Sequence, residues 1–375
     1  MRTFLTFAIS LIKKCFVSFL FLYLIYPVKF LHPISILSSN FTNSLLNIRS
    51  LIAFCMALLF FVILLKTKKE KQKIYCKAFV AYVGALFLML LYSYFKGVVM
   101  GSEIHYFLLC FLPVSYFALF IKEENFMQIN KIIYWGLIVF FVIWHQNGCF
   151  WVKDYLGFYT LILFAILHTL TQNLKIFYIL YLLFCFYLWK ILPISLNGIG
   201  QIGVIYFCCI CFCIYKKQYK KLIFCLLVIL LGLSLNQNYE KIYNVFCRKA
   251  NTRKELLLNN ETIKINKNLL DRILLISPYR SYCYITNCYY TYPHNTWCES
   301  YMVYGILGFI WYWIVNILCF LGLKKTNNKY FFLVMFLGLS LLSLKQGSIL
   351  SQPLLILLHV FGLKMFFIKD SNNLC

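Results

Sequence analysis

The sequence predicts an all-α membrane protein with about twelve transmembrane helices and one large external loop between the ninth and tenth helices. Three observations lead to this fold class. Apolar residue types make up 62% of the 375 residues and charged types only 13%, against roughly 45–50% and roughly 25% in soluble domains. The apolar residues fall in runs that approach the length of about 20 residues needed to span a membrane. Lysines are concentrated in alternate connectors between these runs.

The composition also excludes several classes of protein. A soluble protein this apolar could not cover its surface with polar groups, so lipid must be its main solvent. The net charge of +25 is typical of nucleic-acid-binding proteins, but the lysines lie in short clusters between apolar runs, where they set membrane orientation. We therefore exclude a cytosolic enzyme, a single-pass receptor and a nucleic-acid partner, and expect membrane lipids around most of the chain.

Twelve apolar runs give the predicted spans, at residues 10–30, 50–65, 74–95, 104–121, 132–145, 155–171, 175–190, 199–215, 222–236, 300–322, 330–345 and 351–368. Alternate connectors hold most of the lysines, at positions 66–73, 122–131, 175, 216–221 and 324–329. Because the lysine-rich side of a membrane protein faces the cytoplasm, both termini are predicted to be cytoplasmic.

The chain then divides into three parts. Residues 1–236 hold spans one to nine, residues 237–299 form the external loop, and residues 300–375 hold spans ten to twelve and a short cytoplasmic tail. The loop ends in a tyrosine-rich stretch, SPYRSYCYITNCYYTYPHNTW, that leads directly into the tenth span. Long loops on a rigid scaffold commonly carry function. In an oxidising compartment its cysteines could form disulfides, although free thiols are an equal alternative, at Cys247, Cys283, Cys288 and Cys298.

Acidic residues are scarce, because Asp and Glu together number only 11 and almost all lie in connectors. Proton-coupled transporters usually carry carboxylates inside the membrane, so the scarcity weakens that class. The sequence has neither a glycine-rich phosphate loop nor an acidic cluster. We therefore expect no metal, no nucleotide sugar and no cofactor.

Of the six histidines, His294 has the most distinctive surroundings. It lies between Pro293 and Asn295 where the loop enters the membrane, and Glu299 follows about one and a half helical turns later. Gly305 and Gly308 come next; their spacing predicts that they share one face of a helix and admit a neighbouring backbone. The other five histidines are predicted to pack or to make a hydrogen bond.

The segment PHNTWCESYMVYGILGF resembles the H-N-x-x-L-x(6)-G-x-x-G element of bacterial O-antigen ligases and O-antigen polymerases. Its matching residues are His294, Asn295, Gly305 and Gly308, with Glu299 at a position where the family often has an acid and Cys298 in place of the leucine. Upstream, NLLDRILLISP resembles the family's arginine-containing stretch, through Arg272 and Pro278. LNGIGQIGV corresponds to the Ser-Arg-Gly turn of many members, with Gln201 in place of the arginine.

The resemblance implies a metal-independent glycosyltransferase that moves a glycan from undecaprenyl pyrophosphate to a sugar hydroxyl. Arg272, and after it Arg280, would hold the pyrophosphate, because arginine makes bidentate and permanently charged contacts. His294 would remove the proton of the acceptor hydroxyl, with Asn295, Glu299 and Gln201 in substrate-binding positions.

The resemblance places this reaction at the periplasmic face of the bacterial inner membrane, as a step of lipopolysaccharide biosynthesis. We favour the ligase, whose acceptor is the lipid A–core oligosaccharide, because the His-Asn element directly before a span is the better match. The alternative is a polymerase, whose acceptor is a lipid-linked repeat unit. A polysaccharide flippase is a third possibility, although it would not need the loop at residues 237–299.

Overall fold

In the computed structural model, the described residues are 65–95, 107–129, 134–136, 156–172, 178–183, 199–234, 296–345 and 352–368, with isolated positions beside them. They are helical or in turns, with no strand among them, which confirms the all-α prediction for this part of the chain. Two described helices, Lys69–Tyr92 and Tyr304–Leu323, are long and apolar enough to cross a membrane. The total of twelve spans stays a prediction. The loop up to Asn295, with Cys247, Cys283 and Cys288, lies outside the described residues.

Most of the described α-helices overlap predicted apolar runs, but the helix Lys69–Phe79 begins in the predicted connector at residues 66–73, and the helix Glu123–Met127 lies in the predicted connector at residues 122–131. In chain order the described α-helices are α1 (Lys69–Phe79), α2 (Ala85–Phe95), α3 (Leu112–Phe120), α4 (Glu123–Met127), α5 (Leu156–Thr171), α6 (Ile199–Tyr215), α7 (Tyr219–Ser234), α8 (Thr296–Leu323), α9 (Lys329–Lys345) and α10 (Pro353–Phe367). A π-helical turn at Val80–Gly84 joins α1 to α2, and another at Phe107–Phe111 precedes α3. The chain forms two compact units, the first from Met1–Tyr134 with Asn268–Cys375 and the second from Trp135–Lys267.

Helix α10 lies at the centre of the first unit, where it packs against α8, α3, α1 and α9. Its sequence, PLLILLHVFGLKMFF, is apolar apart from His359 and Lys364, and a helix that is apolar on every face is stable only when it is surrounded. Every residue from Pro353 to Lys364 is indeed buried. Gly322 and Gly362 let α8 and α10 cross closely, because a Cβ atom at Gly322 would run into the Gly362 carbonyl.

The second unit contains α5, α6 and α7. Helices α6 and α7 form an antiparallel pair joined by a tight turn, in which Lys217 has the positive φ of 54°. The α6–α7 contact buries small sulfur-containing side chains, including Cys209, Cys213 and Cys225. Buried cysteine packs as a small apolar residue. Cys209, Cys213 and Cys225 therefore allow a close contact between the two helices.

Exposed apolar stripes run along several helices. On α8, Ile310, Ile314 and Ile317 are 47%, 50% and 51% exposed, and they repeat at the helical period. On α7, Ile223 and Leu230 are similarly exposed. Soluble proteins rarely leave continuous apolar surfaces of this kind in water. These surfaces are suited to contact with hydrocarbon chains.

Candidate functional site

The segment that follows His294 and Asn295 in the sequence is folded back on itself at Gly305. Gly305 has φ 69° and ψ −163°, a backbone conformation that only glycine adopts readily. It interrupts α8 between residues 296–304 and residues 306–323. We call residues 296–304 the folded-back segment.

Contacts across Gly305 establish the reversal of direction. The Tyr312 hydroxyl lies 3.1 Å from Thr296 Oγ1, although 16 residues of straight helix would separate them by about 24 Å. The Trp297 ring also contacts the Tyr312 and Trp313 rings, at centroid distances of 4.8 and 4.7 Å. The folded-back segment therefore lies antiparallel against the part of α8 that follows Gly305.

This geometry corrects the prediction for Gly305 and Gly308. They do not share a helix face, because Gly305 is not helical. A Cβ atom at Gly308 would collide with Tyr304 Cβ and approach the Ser300 carbonyl to 2.8 Å. The close backbone contact that the glycines permit is therefore with their own chain, inside the hairpin.

Thr296 fixes the beginning of the folded-back segment. Its hydroxyl donates to Ser343 Oγ at 3.0 Å and accepts from the Tyr312 hydroxyl. Ser343 in turn donates to the Ser340 carbonyl at 2.7 Å, near the end of α9. Thr296 is fully buried, and buried hydroxyl groups need such partners to offset their lost hydration. The segment is thereby tied to α9 and to the later part of α8.

Glu299 ties the same segment to the turn before α10. The carboxylate is fully buried, and its Oε2 atom accepts a hydrogen bond from the Ile349 backbone N–H at 2.8 Å. Glu299 also lies in the first turn of α8, where the helix dipole favours a negative charge. The geometry supports a structural role that holds two chain segments together, compatible with a positioning role at the predicted site.

A second buried polar group lies deeper in the first unit, where Tyr82, His359 and Asn316 meet. The Tyr82 hydroxyl is 2.9 Å from His359 Nδ1, and His359 Nε2 is 3.2 Å from Asn316 Oδ1. The Asn316 amide group donates to the Tyr312 carbonyl at 2.7 Å, so its oxygen faces the histidine. His359 Nε2 is therefore the protonated nitrogen, and Nδ1 accepts from Tyr82.

Tyr82 belongs to the π-helical turn Val80–Gly84. Such turns widen a helix locally and are frequent at functional sites. Here the neighbouring Ala81 carbonyl accepts a hydrogen bond from the Trp311 indole N–H at 2.8 Å, and the Tyr82 ring stacks on the Trp311 ring at 5.5 Å. The π-helical turn therefore contacts α8 twice, once through a hydrogen bond and once through a ring stack.

Near the C-terminal end of α10, the ammonium group of Lys364 is buried against the C-terminal end of α3. Its Nζ atom donates to the carbonyls of Ala118, Leu119 and Ile121 at 3.2, 3.1 and 2.6 Å. The last carbonyls of a helix lack partners within it and carry partial negative charge. Lys364 supplies those partners from another helix and joins α3 to α10.

Three predicted cytoplasmic connectors, at residues 66–73, 122–131 and 324–329, lie near the C-terminal end of α10. Both oxygens of the Glu123 carboxylate accept hydrogen bonds from the α8–α9 turn, at Asn327 and Asn328. The ammonium group of Lys325, in that turn, lies 3.4 Å from the Phe366 carbonyl. Tyr75, beside the 66–73 lysine cluster, contacts Phe120 at 5.5 Å. Lysine-rich connectors that are far apart in sequence therefore meet at one end of the first unit.

The structure describes only part of the predicted site. Arg272, Arg280, His294 and Asn295 lie outside the described residues. Glu299 belongs to the first unit; Gln201 belongs to the second, in the first turn of α6, where it is buried. No group of three potential metal ligands occurs among the residues that the structure describes.

Sequence reasoning missed the reversal at Gly305 and the burial of Lys364. Gly305 itself was a signal for the first, because glycine is the residue that adopts a positive φ without steric cost. A lysine within the apolar run 351–368 was a signal for the second, because charged groups inside a membrane protein are expected to be paired. Comparison with known proteins finds no matching family model, no matching curated protein and no matching solved structure.

Proposed function

We propose that this chain is a multi-pass protein of the bacterial inner membrane that transfers a glycan from undecaprenyl pyrophosphate at the periplasmic face. The favoured acceptor is the lipid A–core oligosaccharide, which makes the protein an O-antigen ligase. The proposal starts from the resemblance around His294. Its main structural support is the fixed position of Thr296, two residues later in the sequence.

Thr296 is buried and lies beside Tyr312, which is seven residues beyond Gly305 in α8. At 1.5 Å per residue, Tyr312 and the neighbouring Thr296 lie about 10 Å along α8 from the hairpin turn at Gly305. The bonds of Thr296 to Ser343 and Tyr312 hold it rigidly. A catalytic group needs a position fixed to within a fraction of an ångström. A chain entering at such a fixed point suits a recessed site for a lipid-linked donor.

The location in the first unit also suits the proposed topology. Thr296 and Ser343 lie near the end of α9 that is remote from the α8–α9 turn and its lysines. If the lysine-rich connectors face the cytoplasm, the folded-back segment is in the other half of the membrane. A glycan donor that reacts at the periplasmic face requires the folded-back segment to lie in that half of the membrane.

The proposed chemistry is a displacement at the anomeric carbon of the donor sugar. The acceptor hydroxyl oxygen forms a bond to that carbon as the bond to the pyrophosphate oxygen breaks, and undecaprenyl pyrophosphate leaves. His294 takes the hydroxyl proton, while Arg272 and Arg280 neutralise the charge on the leaving pyrophosphate. Asn295 and Gln201 bind substrate, and Glu299 keeps the segment after His294 in place.

The test is to measure glycan transfer by His294→Ala and Arg272→Ala variants at equal protein levels in the membrane. We expect His294→Ala to reduce the rate by about 10²–10⁴-fold, as for loss of a positioned base. Arg272→Lys should also be poor, because lysine cannot make a bidentate contact. Matched controls are His32→Ala and Arg253→Ala, which remove the same side chains elsewhere and should leave transfer near normal.

Gene deletion distinguishes the ligase from the alternatives. Loss of a ligase should leave bare lipid A–core at the surface while long glycans accumulate on undecaprenyl pyrophosphate. Loss of a polymerase should instead give core capped by a single repeat unit. Unchanged surface glycan, in a strain that makes O-antigen and has no second copy, would contradict both enzymes and favour the flippase.

A further inference from the structure

We infer that the end of α8 and the α8–α9 turn form a binding site for an anionic phospholipid, with the acyl chains along α8 and the phosphate at the turn. The inference depends on the membrane placement in the proposed function and is independent of the glycan-transfer chemistry. It rests on a continuous apolar stripe that ends in a group of lysines.

The acyl-chain part of the site is the exposed stripe of α8. Ile310, Ile314, Ile317 and Leu321 follow one another at spacings of four, three and four residues, so they share one face of the helix. Each is at least 40% exposed. The stripe has the length and chemistry to lie along a lipid chain. Lys324 is the next residue on the same face.

The headgroup part of the site is the turn itself. Lys324, Lys325 and Lys329 are exposed, and their Nζ atoms lie over aromatic rings at 4.6, 5.7 and 5.5 Å. The Lys324 ammonium lies over the ring of Phe320, one helical turn earlier on the exposed side. This contact keeps the charge beside the apolar stripe, where a phosphate at the membrane surface would be.

Among the described residues, Glu123 is the acid that contacts this turn, and it does not pair with the lysines. Its two carboxylate oxygens accept hydrogen bonds from the Asn327 and Asn328 backbone N–H groups and from the Asn328 side chain. These bonds fix the shape of the turn without engaging the ammonium groups of Lys324 and Lys329, whereas the Lys325 ammonium lies near the Phe366 and Ile368 carbonyls. A phospholipid with net negative charge therefore fits better than one whose amine cancels its phosphate.

The test uses the full-length protein in detergent with phosphatidylglycerol and phosphatidylcholine as probes, and native mass spectrometry to measure retained lipid. We expect wild-type protein to retain phosphatidylglycerol preferentially. The double variant Lys324→Gln/Lys329→Gln should lose at least about tenfold in that affinity, since each surface lysine contributes roughly fivefold to binding of anionic lipid. Inorganic phosphate at the same concentration should not displace the lipid, because it lacks the acyl chains.

The matched control is Lys66→Gln/Lys68→Gln, which removes two exposed lysines at the same end without touching the stripe. An equal loss in this control, or equal retention of the two lipids by wild-type protein, would overturn the inference. Displacement by inorganic phosphate would also overturn it. His294→Ala should retain phosphatidylglycerol like the wild type, so that failure of the transfer proposal and failure of the lipid site can be told apart.

Discussion

The hydroxyl group of Tyr82 donates a hydrogen bond to Nδ1 of His359 over 2.9 Å, joining helices that are 277 residues apart in the sequence. Both side chains are buried, and the second nitrogen of the histidine donates to Asn316. Three helical segments are thus connected through one imidazole ring. Because each polar atom in this group has a partner, the group specifies one arrangement of the three segments.

Replacement of Tyr82 by phenylalanine tests this connection. The variant keeps the ring but leaves His359 Nδ1 without its donor, and a buried unpaired group costs about 1–3 kcal/mol. We expect a lower melting temperature in detergent. It is measured as the temperature at which half of the protein is no longer monodisperse after heating. His359→Leu should lose more, because Tyr82 and Asn316 would both lose a partner.

Tyr94→Phe is the matched control, since Tyr94 is 43% exposed on α2 and its hydroxyl can bond to surrounding water or lipid headgroups. It should change the melting temperature little. Equal stability of Tyr82→Phe and Tyr94→Phe would mean that the hydrogen bond to His359 contributes nothing measurable.

Gly305→Ala tests the fold-back. Alanine is strained at φ 69° and ψ −163°, and such a conformation costs of order 1–3 kcal/mol for a residue with a side chain. We expect reduced thermal stability together with reduced transfer, because the segment after His294 would no longer be held beside Tyr312. Gly203→Ala is the control: Gly203 lies in α6 with open space around it, and alanine there should be neutral or slightly stabilising.

Lys364→Met tests the buried ammonium. The substitution retains most of the side-chain volume but leaves the carbonyls of Ala118, Leu119 and Ile121 without their donor. We expect a loss of several kcal/mol, at about 1–3 kcal/mol for each buried group, again measured by thermal unfolding in detergent. Lys325→Met removes a lysine whose contacts are longer and exposed. The loss of unfolding free energy in this variant should therefore be only about a few tenths of a kcal/mol. Similar effects of the two variants would contradict the assigned role.

Most of the described helices were predictable from the sequence, whereas the contacts between them were not. Apolar runs such as 199–215 and 330–345 match α6 and α9 closely, because a chain in lipid must satisfy its backbone within each segment. The clusters of lysine also marked the connectors that meet at one end of the first unit. Both signals are local, so one sequence suffices to read them.

The reversal at Gly305 depends on information that is not local. Spacing alone predicts that Gly305 and Gly308 share a helix face. The contacts of Thr296 with Ser343 and Tyr312 instead require the chain to reverse at Gly305. The same holds for His359, whose partners are 277 and 43 residues away. A histidine in an apolar run indicates that partners exist. It does not identify them.

The orientation of the chain can be tested with an inserted epitope. We expect an epitope placed between Asn259 and Asn260 to bind antibody in intact spheroplasts, because the positive-inside rule puts the loop at residues 237–299 outside. The same epitope after Cys375 should bind only after permeabilisation. Membrane fractionation should accompany both measurements, so that accessible protein is known to be inserted.

The two epitopes together separate the possible outcomes. The Lys364 contacts and the Glu123 contacts place the end of α10 beside the α8–α9 turn, so the tail after Phe367 begins at the lysine-rich end of the first unit. An accessible tail with a protected loop would therefore invert the entire unit and place the folded-back segment in the cytoplasmic half. A periplasmic transfer reaction would then be untenable, even though the hairpin and its hydrogen bonds would be unchanged.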